Sequence, residues 1–304
     1  MPARPAAPRQ GGAESTAGRQ GGLDGPVDEV VVWMDGRMVV AGDAVVSVFD
    51  HGLTVGDGVF ETLKVIGGRA FAVRRHLERL GRSAQGLGLN LPLSDAALRR
   101  VVDEVADAAG ADTARLRITL TAGVAPFGSV RGGGHPTLVV AAAPLAPWPA
   151  ETAAVTVPWP RNERSAVAGI KTTSYAENVV MLAEARKVGA SEAIMPNTRG
   201  NLCEGTGTNV FVVLGDRLVT PPTLAGCLAG VTRGLVLELL PEADEDDVPL
   251  AALAEADEVL LTSSTRDVQP LRSLDGRPLP GTDGPVAQRA ADALAKLQAR
   301  DIDP

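Results

Sequence analysis

The sequence is poor in cysteine, histidine and apolar runs, and each shortage excludes a class of protein. Two cysteines, Cys203 and Cys227, cannot form a disulfide framework and lack the partners of a zinc site. The three histidines are widely scattered, so we predict no bound metal. No apolar stretch reaches the roughly 18 residues of a membrane span, and we expect no signal peptide. These absences predict a protein of the reducing cytoplasm that does not bind a membrane.

Charge and composition limit the remaining possibilities. The 304 residues carry a net charge of −8, which argues against a nucleic-acid-binding surface, and 45% of them are hydrophobic, which is enough for a sizeable core. Residues 1–27 are rich in Gly, Ala, Pro, Arg and Gln and predict a disordered tail. A Pro-rich stretch predicts a linker at 146–155 between a small α/β domain, 28–145, and a larger domain, 156–304.

Hydrophobic periodicity and capping residues predict strands and helices in both halves of the chain. The predicted strands are 29–34, 38–41, 114–120, 137–143, 153–157, 192–195, 209–214 and 257–262, together with one that ends at Val65. The predicted helices are 74–87, 95–109 with Ser94 as its N-cap, 175–188, 230–240 and 286–299. Two Gly-rich loops, 122–134 and 198–208, separate predicted strands and are candidates for function.

The strand that ends at Val65 has two different faces. Alternation places Val59, Glu61, Leu63 and Val65 on a mostly apolar face, which we expect to meet the core. The opposite face carries Phe60, Thr62 and Lys64. An aromatic ring, a hydroxyl and an amine suit the wall of a pocket, whereas composition alone favours a solvated face with one isolated Phe.

Lysine is rare in this chain, with four lysines against 25 arginines. One of them, Lys171, follows an apolar stretch and precedes small polar residues that end at Tyr175, the only tyrosine. An amine can lose its proton and condense with a carbonyl, which arginine cannot do, and burial lowers the amine pKa. Lys171 is therefore a candidate for covalent catalysis. The alternative is a partly buried lysine whose head reaches solvent.

Glu204 and two anion-binding segments add to Lys171. Glu204 lies among small and apolar residues, where a carboxylate needs a partner, either backbone amides or a protonated ring nitrogen. Residues 230–232 precede a helix and residues 263–265 follow a strand, so both offer amides or hydroxyls to an anion, although most helix starts are plain caps. An amine, a buried acid and a phosphate cradle are together what pyridoxal phosphate requires.

The sequence resembles the class IV (fold-type IV) aminotransferase family, which contains branched-chain aminotransferases, D-amino-acid aminotransferases and 4-amino-4-deoxychorismate lyases. Five runs in the family's order carry the resemblance: 56–62 (GDGVFET), 76–80 (HLERL), 169–175 (GIKTTSY), 204–211 (EGTGTNVF) and 230–233 (GVTR). The resemblance implies an α/β (α+β) fold, with a small α/β domain, a larger pseudo-barrel domain and the cofactor between them. It also implies a homodimer whose sites borrow residues from the partner.

Pyridoxal 5'-phosphate is the cofactor that the resemblance implies. Lys171 would condense with its aldehyde and move the substrate proton, and Glu204 would bind the pyridinium nitrogen. Tyr175 would lie near the ring hydroxyl. The phosphate would be held by four residues: Arg79, Val231 and Thr232 through their backbone amides, and Ser264.

The resemblance leaves the reaction open. Thr62 matches a threonine that the lyases use in proton transfer, and the surrounding run is lyase-like, whereas the segments at Lys171 and Glu204 are branched-chain-like. Phe60, Lys64 and Arg131 are candidate substrate-binding residues; D-amino-acid enzymes carry an arginine in a loop placed like that of Arg131. Our hypothesis from sequence is 4-amino-4-deoxychorismate lyase of folate biosynthesis, which makes 4-aminobenzoate and pyruvate. The alternatives are a transaminase of branched-chain or D-amino acids and, more remotely, a non-catalytic cofactor-binding protein.

Overall fold

The computed structural model describes residues 29–304, so the tail predicted at 1–27 lies outside the described residues. Within that range the strands are β1 (Val31–Met34), β2 (Arg37–Val39), β3 (Gly58–Ile66), β4 (Arg69–Ala70), β5 (Thr113–Thr121), β6 (Thr137–Pro144), β7 (Thr152–Thr156), β8 (Glu192–Pro196), β9 (Leu202–Gly205), β10 (Asn209–Leu214), β11 (Arg217–Thr220), β12 (Ala243–Glu245), β13 (Glu258–Ser263), β14 (Asp267–Leu274) and β15 (Arg277–Pro278). The helices are α1 (His51–Thr54), α2 (Val73–Gly86), α3 (Asp95–Ala108), α4 (Ala176–Lys187), α5 (Val231–Leu239) and α6 (Pro285–Arg300).

The first half of the chain forms an antiparallel sheet with the strand order β2-β1-β6-β5-β3-β4. Helices α2 and α3 cover one face of this sheet. The inward residues of β3 and β5, among them Val59, Leu63 and Leu116, are completely buried in the shared core. Ser94 caps α3 by accepting from the amide of Ala97 at 3.3 Å, as predicted from sequence.

The second half forms a larger mixed sheet with the order β12-β11-β10-β13-β14-β7-β8-β9, to which β15 adds beside β14. Strand β7 runs parallel to both β14 and β8, and β12 runs parallel to β11. Helices α5 and α6 pack together against β13 and β14, and α4 packs against β8. Fully buried Phe211 and Leu260 lie in the core beneath α5 and α6.

The observed elements agree with the predicted ones where a segment carries its own periodicity, and differ where pairing is long-range. Residues 202–205 form β9, although the whole stretch 198–208 was predicted as a loop. Strand β7 begins at Thr152, so the last four residues of the predicted linker, 152–155, belong to the larger sheet. Small and β-branched side chains suit this strand, which is paired on both sides. No helix within residues 29–304 is long and apolar enough to cross a membrane.

The two sheets meet at β3. The amide of Phe60 donates to the carbonyl of Lys171 at 3.0 Å, and the amide of Thr173 donates to the carbonyl of Gly58 at 2.8 Å. Lys64, further along β3, forms an ion pair with Asp267 at the start of β14. The two backbone hydrogen bonds hold the segment that carries Lys171 along the edge of β3, where Val59 and Thr172 form an isolated antiparallel bridge.

Candidate active site

Lys171 lies where the two sheets meet, against two aromatic rings. Its Nζ is 4.3 Å from the ring centroid of Phe60 and 5.8 Å from that of Tyr175, and the two rings meet edge to face. Burial, and next the positive charge of Arg79, lower the pKa of Lys171 to about 8. About a tenth of the amine is therefore unprotonated at pH 7, far more than for an ordinary lysine, as a nucleophile or base requires.

Tyr175 immediately precedes α4 and turns its ring toward Phe60, with centroids 5.1 Å apart. Burial, and next the charge of Glu204, raise the pKa of Tyr175 to about 12. Its hydroxyl is therefore neutral at physiological pH and can donate a hydrogen bond to an oxygen anion.

Glu204 on β9 faces the same space from the larger sheet. Its Oε1 accepts from Arg161 Nε at 3.2 Å and its Oε2 accepts from the amide of Leu228 at 2.9 Å. Burial raises the pKa of Glu204, and Arg161 and Lys171 only partly oppose that rise. Glu204 therefore has a raised pKa and a single cationic partner. A carboxyl group of this kind can exchange a proton with a ring nitrogen.

Arg79 on α2 is held in place by Glu61 on β3. Its Nε donates to Glu61 Oε1 at 2.8 Å, its Nη2 donates to Oε2 at 2.7 Å, and its Nη1 donates to the carbonyl of Ala229 at 2.9 Å. His76 Nδ1 lies 2.7 Å from Glu61 Oε2. This geometry uses three of the five guanidinium hydrogens and leaves one on each terminal nitrogen for an anion.

The start of α5 lies beside Arg79, because Arg79 Nη1 donates a hydrogen bond to the carbonyl of Ala229, just before the helix. Gly230 precedes the helix; a Cβ on Gly230 would lie 2.0 Å from Asn209 Oδ1, so only glycine fits there. No side chain caps α5, and within the described residues the amides of Val231 and Thr232 have no acceptor. Ser264 follows β13, and its Oγ lies 3.3 Å from His76 Nε2, which brings it to the same network.

These groups fit pyridoxal phosphate. An uncapped helix start beside a buried arginine with free hydrogens is suited to an anion, and the aromatic pair with Lys171 lies beside it. The bound cofactor would supply an aldehyde for the amine and a ring that accepts electrons. On this interpretation Arg79, Val231, Thr232 and Ser264 would hold the phosphate, while Glu204 would face the ring nitrogen.

Two sequence-predicted residues are engaged elsewhere. Within the described residues, Lys64 is paired with Asp267, and Arg131 donates to both oxygens of Asp57, at 2.6 and 2.5 Å, and to the carbonyl of Gly88. Neither makes a hydrogen bond or ion pair to the Lys171 site, so their substrate roles stay predictions. Thr62 stands two residues beyond Phe60 on β3, opposite Arg117 on β5.

Sequence reasoning missed three side chains that shape the site. Arg161 binds Glu204, His76 links Glu61 to Ser264, and Arg117 stacks on Phe60 with its guanidinium carbon 3.8 Å from the ring centroid. His76 stood three residues before Arg79 on a predicted helix, a spacing that places both on one face. Arg161 and Arg117 carried no comparable local signal.

A family model described as Amino-transferase class IV matches residues 58–274, which is more than half of the chain. The chain belongs to the class IV aminotransferase family. This confirms the resemblance drawn from the five runs, and with it an enzyme that uses pyridoxal phosphate and acts on an amino-acid substrate.

Known relatives of this class IV aminotransferase cover nearly all of its described length. A D-alanine aminotransferase of Bacillus licheniformis is 31% identical over 86% of this chain and 95% of the relative. A branched-chain-amino-acid aminotransferase of Escherichia coli (strain K12) is 29% identical over 88% and 92%. The crystal structure of a branched-chain aminotransferase from Thermoproteus uzoniensis with norvaline superimposes with a TM-score of 0.82, at 30% identity, over 88% of this chain and 94% of that one. The predicted fold-type IV architecture is confirmed, and the interpretation as a non-catalytic binding protein loses its support.

Proposed function

We propose that this enzyme is a transaminase that moves the amino group of a branched-chain or D-amino acid to a keto acid. The observation that carries the proposal is the Lys171 amine, desolvated against Phe60 and Tyr175 and set between Glu204 and the Arg79 anion site. The relatives named above are transaminases of both substrate types. The lyase reaction that the sequence suggested therefore becomes the second candidate.

Different residues of this chain would perform different parts of transamination. Lys171 would remove the proton from the substrate α-carbon and return one to the cofactor side, because its lowered pKa makes it a base near neutral pH. Phe60 and Tyr175 would exclude water from one side of that amine. Arg79 and the start of α5 would fix the phosphate, so that Lys171 and Glu204 keep a constant position relative to the ring.

Separate half-reactions test the transaminase proposal. The purified enzyme loaded with pyridoxal phosphate is mixed with L-leucine, D-alanine or L-alanine, and the cofactor spectrum is followed together with keto-acid release. We expect at least one amino acid to convert the cofactor to its amino form, and a keto acid to reverse the change. Lys171→Ala is the inactive control. If no amino acid changes the spectrum of a protein that binds the cofactor, the transaminase proposal is wrong.

Thr62 supports the lyase as a second candidate. Its hydroxyl lies on the same face of β3 as Phe60, next to the site, and it makes no hydrogen bond to another described side chain. A free hydroxyl there could relay a proton to a leaving group. The lyase would release 4-aminobenzoate and pyruvate from aminodeoxychorismate without a keto acid as amino acceptor, and Thr62→Ala would abolish that release while sparing transamination. Absence of 4-aminobenzoate with an otherwise active enzyme would remove this candidate.

A homodimer is the partner assignment that the surface favours. Exposed apolar side chains from residues 45–55 and 124–130 gather in one region, where Phe49 and Phe127 pair with ring centroids 5.3 Å apart. Exposed apolar patches of this kind mark interfaces between proteins. The expected mass by light scattering is that of two chains, and Phe127→Asp should shift it toward one. A wild-type protein with the mass of one chain would contradict the dimer. A cytoplasmic location stays a prediction from the sequence.

A further inference from the structure

A buried hydrogen-bond relay runs behind the phosphate site from β3 to the end of β13. Glu61 is completely buried and binds Arg79 with both oxygens. His76, only 1% exposed, places Nδ1 at 2.7 Å from Glu61 Oε2 and Nε2 at 3.3 Å from Ser264 Oγ. The relay therefore connects two groups assigned to the phosphate, Arg79 and Ser264, through two residues that are not assigned to it, Glu61 and His76.

The hydrogens of the relay follow from its charges. Burial by itself would raise the pKa of Glu61, but Arg79 and His76 hold it well below its usual value, so Glu61 is ionised and only accepts. His76 Nδ1 must then carry a hydrogen. Burial lowers the pKa of His76, so the ring is neutral and its Nε2 is bare. Ser264 consequently donates its only hydrogen to His76.

This arrangement does not suit a phosphate group. A phosphate dianion offers only acceptors, and the Ser264 hydroxyl that points its hydrogen at His76 offers only lone pairs to it. Ser264 can bind phosphate only if its hydrogen turns toward the phosphate. His76 Nε2 then loses its donor and stays bare within a buried site, unless it acquires a hydrogen of its own and donates to Ser264.

We propose that His76 and Glu61 are positioning residues of the phosphate site, and that phosphate binding makes His76 take up one proton. The proton comes from solvent and binds Nε2; the imidazolium donates to Glu61 through Nδ1 and to Ser264 through Nε2, and Ser264 donates to the phosphate. The inference rests on the proposed function only in taking Ser264 and Arg79 as phosphate ligands.

The charges around His76 permit this exchange and set its direction with pH. The groups that face His76 are Glu61 from β3, which favours the imidazolium, and Arg79 from α2 and Lys171 from the segment between the sheets, which oppose it. A bound phosphate adds negative charge on the side of Arg79 and Ser264 and so raises the pKa of His76. Since the bound state then holds the extra proton, phosphate affinity is greatest at low pH and decreases as pH rises through the pKa of the bound state.

Histidine nitrogen NMR on the full-length chain tests the proton directly. The chain has only three histidines, and the signals of His76 are those lost in His76→Asn. The cofactor-free protein at pH 7 is titrated with pyridoxal phosphate and, separately, with pyridoxal, which has the aldehyde but no phosphate. We expect His76 to change from the neutral Nδ1–H form to the imidazolium with pyridoxal phosphate and to stay neutral with pyridoxal. The same neutral signals with both ligands would overturn the proposal.

Affinity as a function of pH gives a second, independent measurement. The ratio of pyridoxal phosphate affinity to pyridoxal affinity isolates the phosphate contribution, including the second ionisation of phosphate itself. In the wild type this ratio should fall with rising pH by up to about tenfold per unit beyond its fall in His76→Asn, the slope for one proton taken up. Exposed His135→Asn is the matched control and should keep the wild-type slope. Equal slopes in wild type and His76→Asn would refute the proton uptake.

Two further variants separate positioning from folding. Glu61→Gln should reduce pyridoxal phosphate affinity by about tenfold or more and pyridoxal affinity by less than about threefold. The reason is that Glu61 holds Arg79 in place, and Arg79 binds only the phosphate group. Ser264→Ala should abolish the His76 signal change while leaving the chain folded. A loss of both affinities in parallel contradicts the positioning role. If neither ligand produces the visible absorbance of a Lys171 adduct, the proposed function itself fails. That outcome is distinct from a ligand that binds without changing the nitrogen signals of His76.

Discussion

Two glutamates flank Lys171, the completely buried Glu61 and the partly buried Glu204, and their pKa values are shifted in opposite directions. Glu61 receives three hydrogen bonds from Arg79 and His76, which outweigh the cost of burial and keep its pKa well below the usual value. Glu204 receives one bond from Arg161 at 3.2 Å and one from a backbone amide, and burial prevails. The number of charged donors, rather than depth, decides whether a buried acid is a fixed charge or a group that exchanges protons.

The largest effect should come from removing the cation between the two acids. Lys171→Ala should lower turnover by at least about 10⁴-fold and abolish the visible absorbance of the bound cofactor, because both the nucleophile and the base are lost. Turnover and the absorbance spectrum are the measurements. Lys187→Ala removes an exposed lysine of α4 and should behave as wild type. Residual turnover above one hundredth of wild type in Lys171→Ala would contradict the role.

Breaking the fixed acid should destabilise the fold. Glu61→Gln leaves Arg79 buried without a counter-charge, so the free energy of unfolding should fall by about 3–5 kcal/mol. Urea denaturation of the cofactor-free protein measures it. Glu78→Gln, in an exposed pair with Arg74 on the same helix, should change stability by less than about 0.5 kcal/mol. Equal stabilities of the two variants would show that Glu61 is not a structural charge.

Neutralising Glu204 should lower turnover without lowering the free energy of unfolding, unlike the destabilisation expected for Glu61→Gln. Glu204→Gln should lower turnover by about 100-fold, as the loss of an electrostatic partner of the ring does, without destabilising the cofactor-free chain.

The stability of the chain should depend on pH through Glu204. Because the folded pKa of Glu204 lies above the unfolded value of 4.5, ionised Glu204 disfavours folding as pH rises through the folded pKa. The variant should therefore gain stability relative to wild type above that pKa and none below pH 4.5. Glu61→Gln gives the reverse sign, since a depressed pKa stabilises above 4.5 and its contribution is lost as pH falls. A Glu204→Gln chain that is less stable than wild type at pH 8 would argue against a raised pKa.

The smallest effect is expected at a third acid, Asp57, which also binds an arginine with both oxygens but near the surface. Arg131 is 38% exposed, so Arg131→Ala should change the free energy of unfolding by less than about 1 kcal/mol. Since Arg131 already donates to Asp57 and not to a substrate, KM should stay within about twofold of wild type. A large rise in KM would instead support the substrate role predicted from the sequence.

Local patterns in the sequence predicted the strand faces and helices that carry the candidate site. The alternation of β3 correctly separated buried Val59, Glu61 and Leu63 from Phe60 on the pocket face, because side-chain direction in a strand depends only on sequence parity. The predicted helix at 286–299 is observed as α6 at 285–300, because its apolar spacing is local. The family resemblance rested on runs of four to eight residues, each readable without its neighbours in space.

The sequence by itself determined which residue is the rare amine and which family the chain belongs to, because these are properties of short segments. Only the tertiary structure decided that Arg161 reaches Glu204 across 43 positions and that His76 reaches Ser264 across 188. It also decided that the two glutamates differ in charge behaviour, since their donors come from distant elements. A pKa depends on desolvation and on charges within a few ångströms, and those neighbours exist only once the two sheets have met.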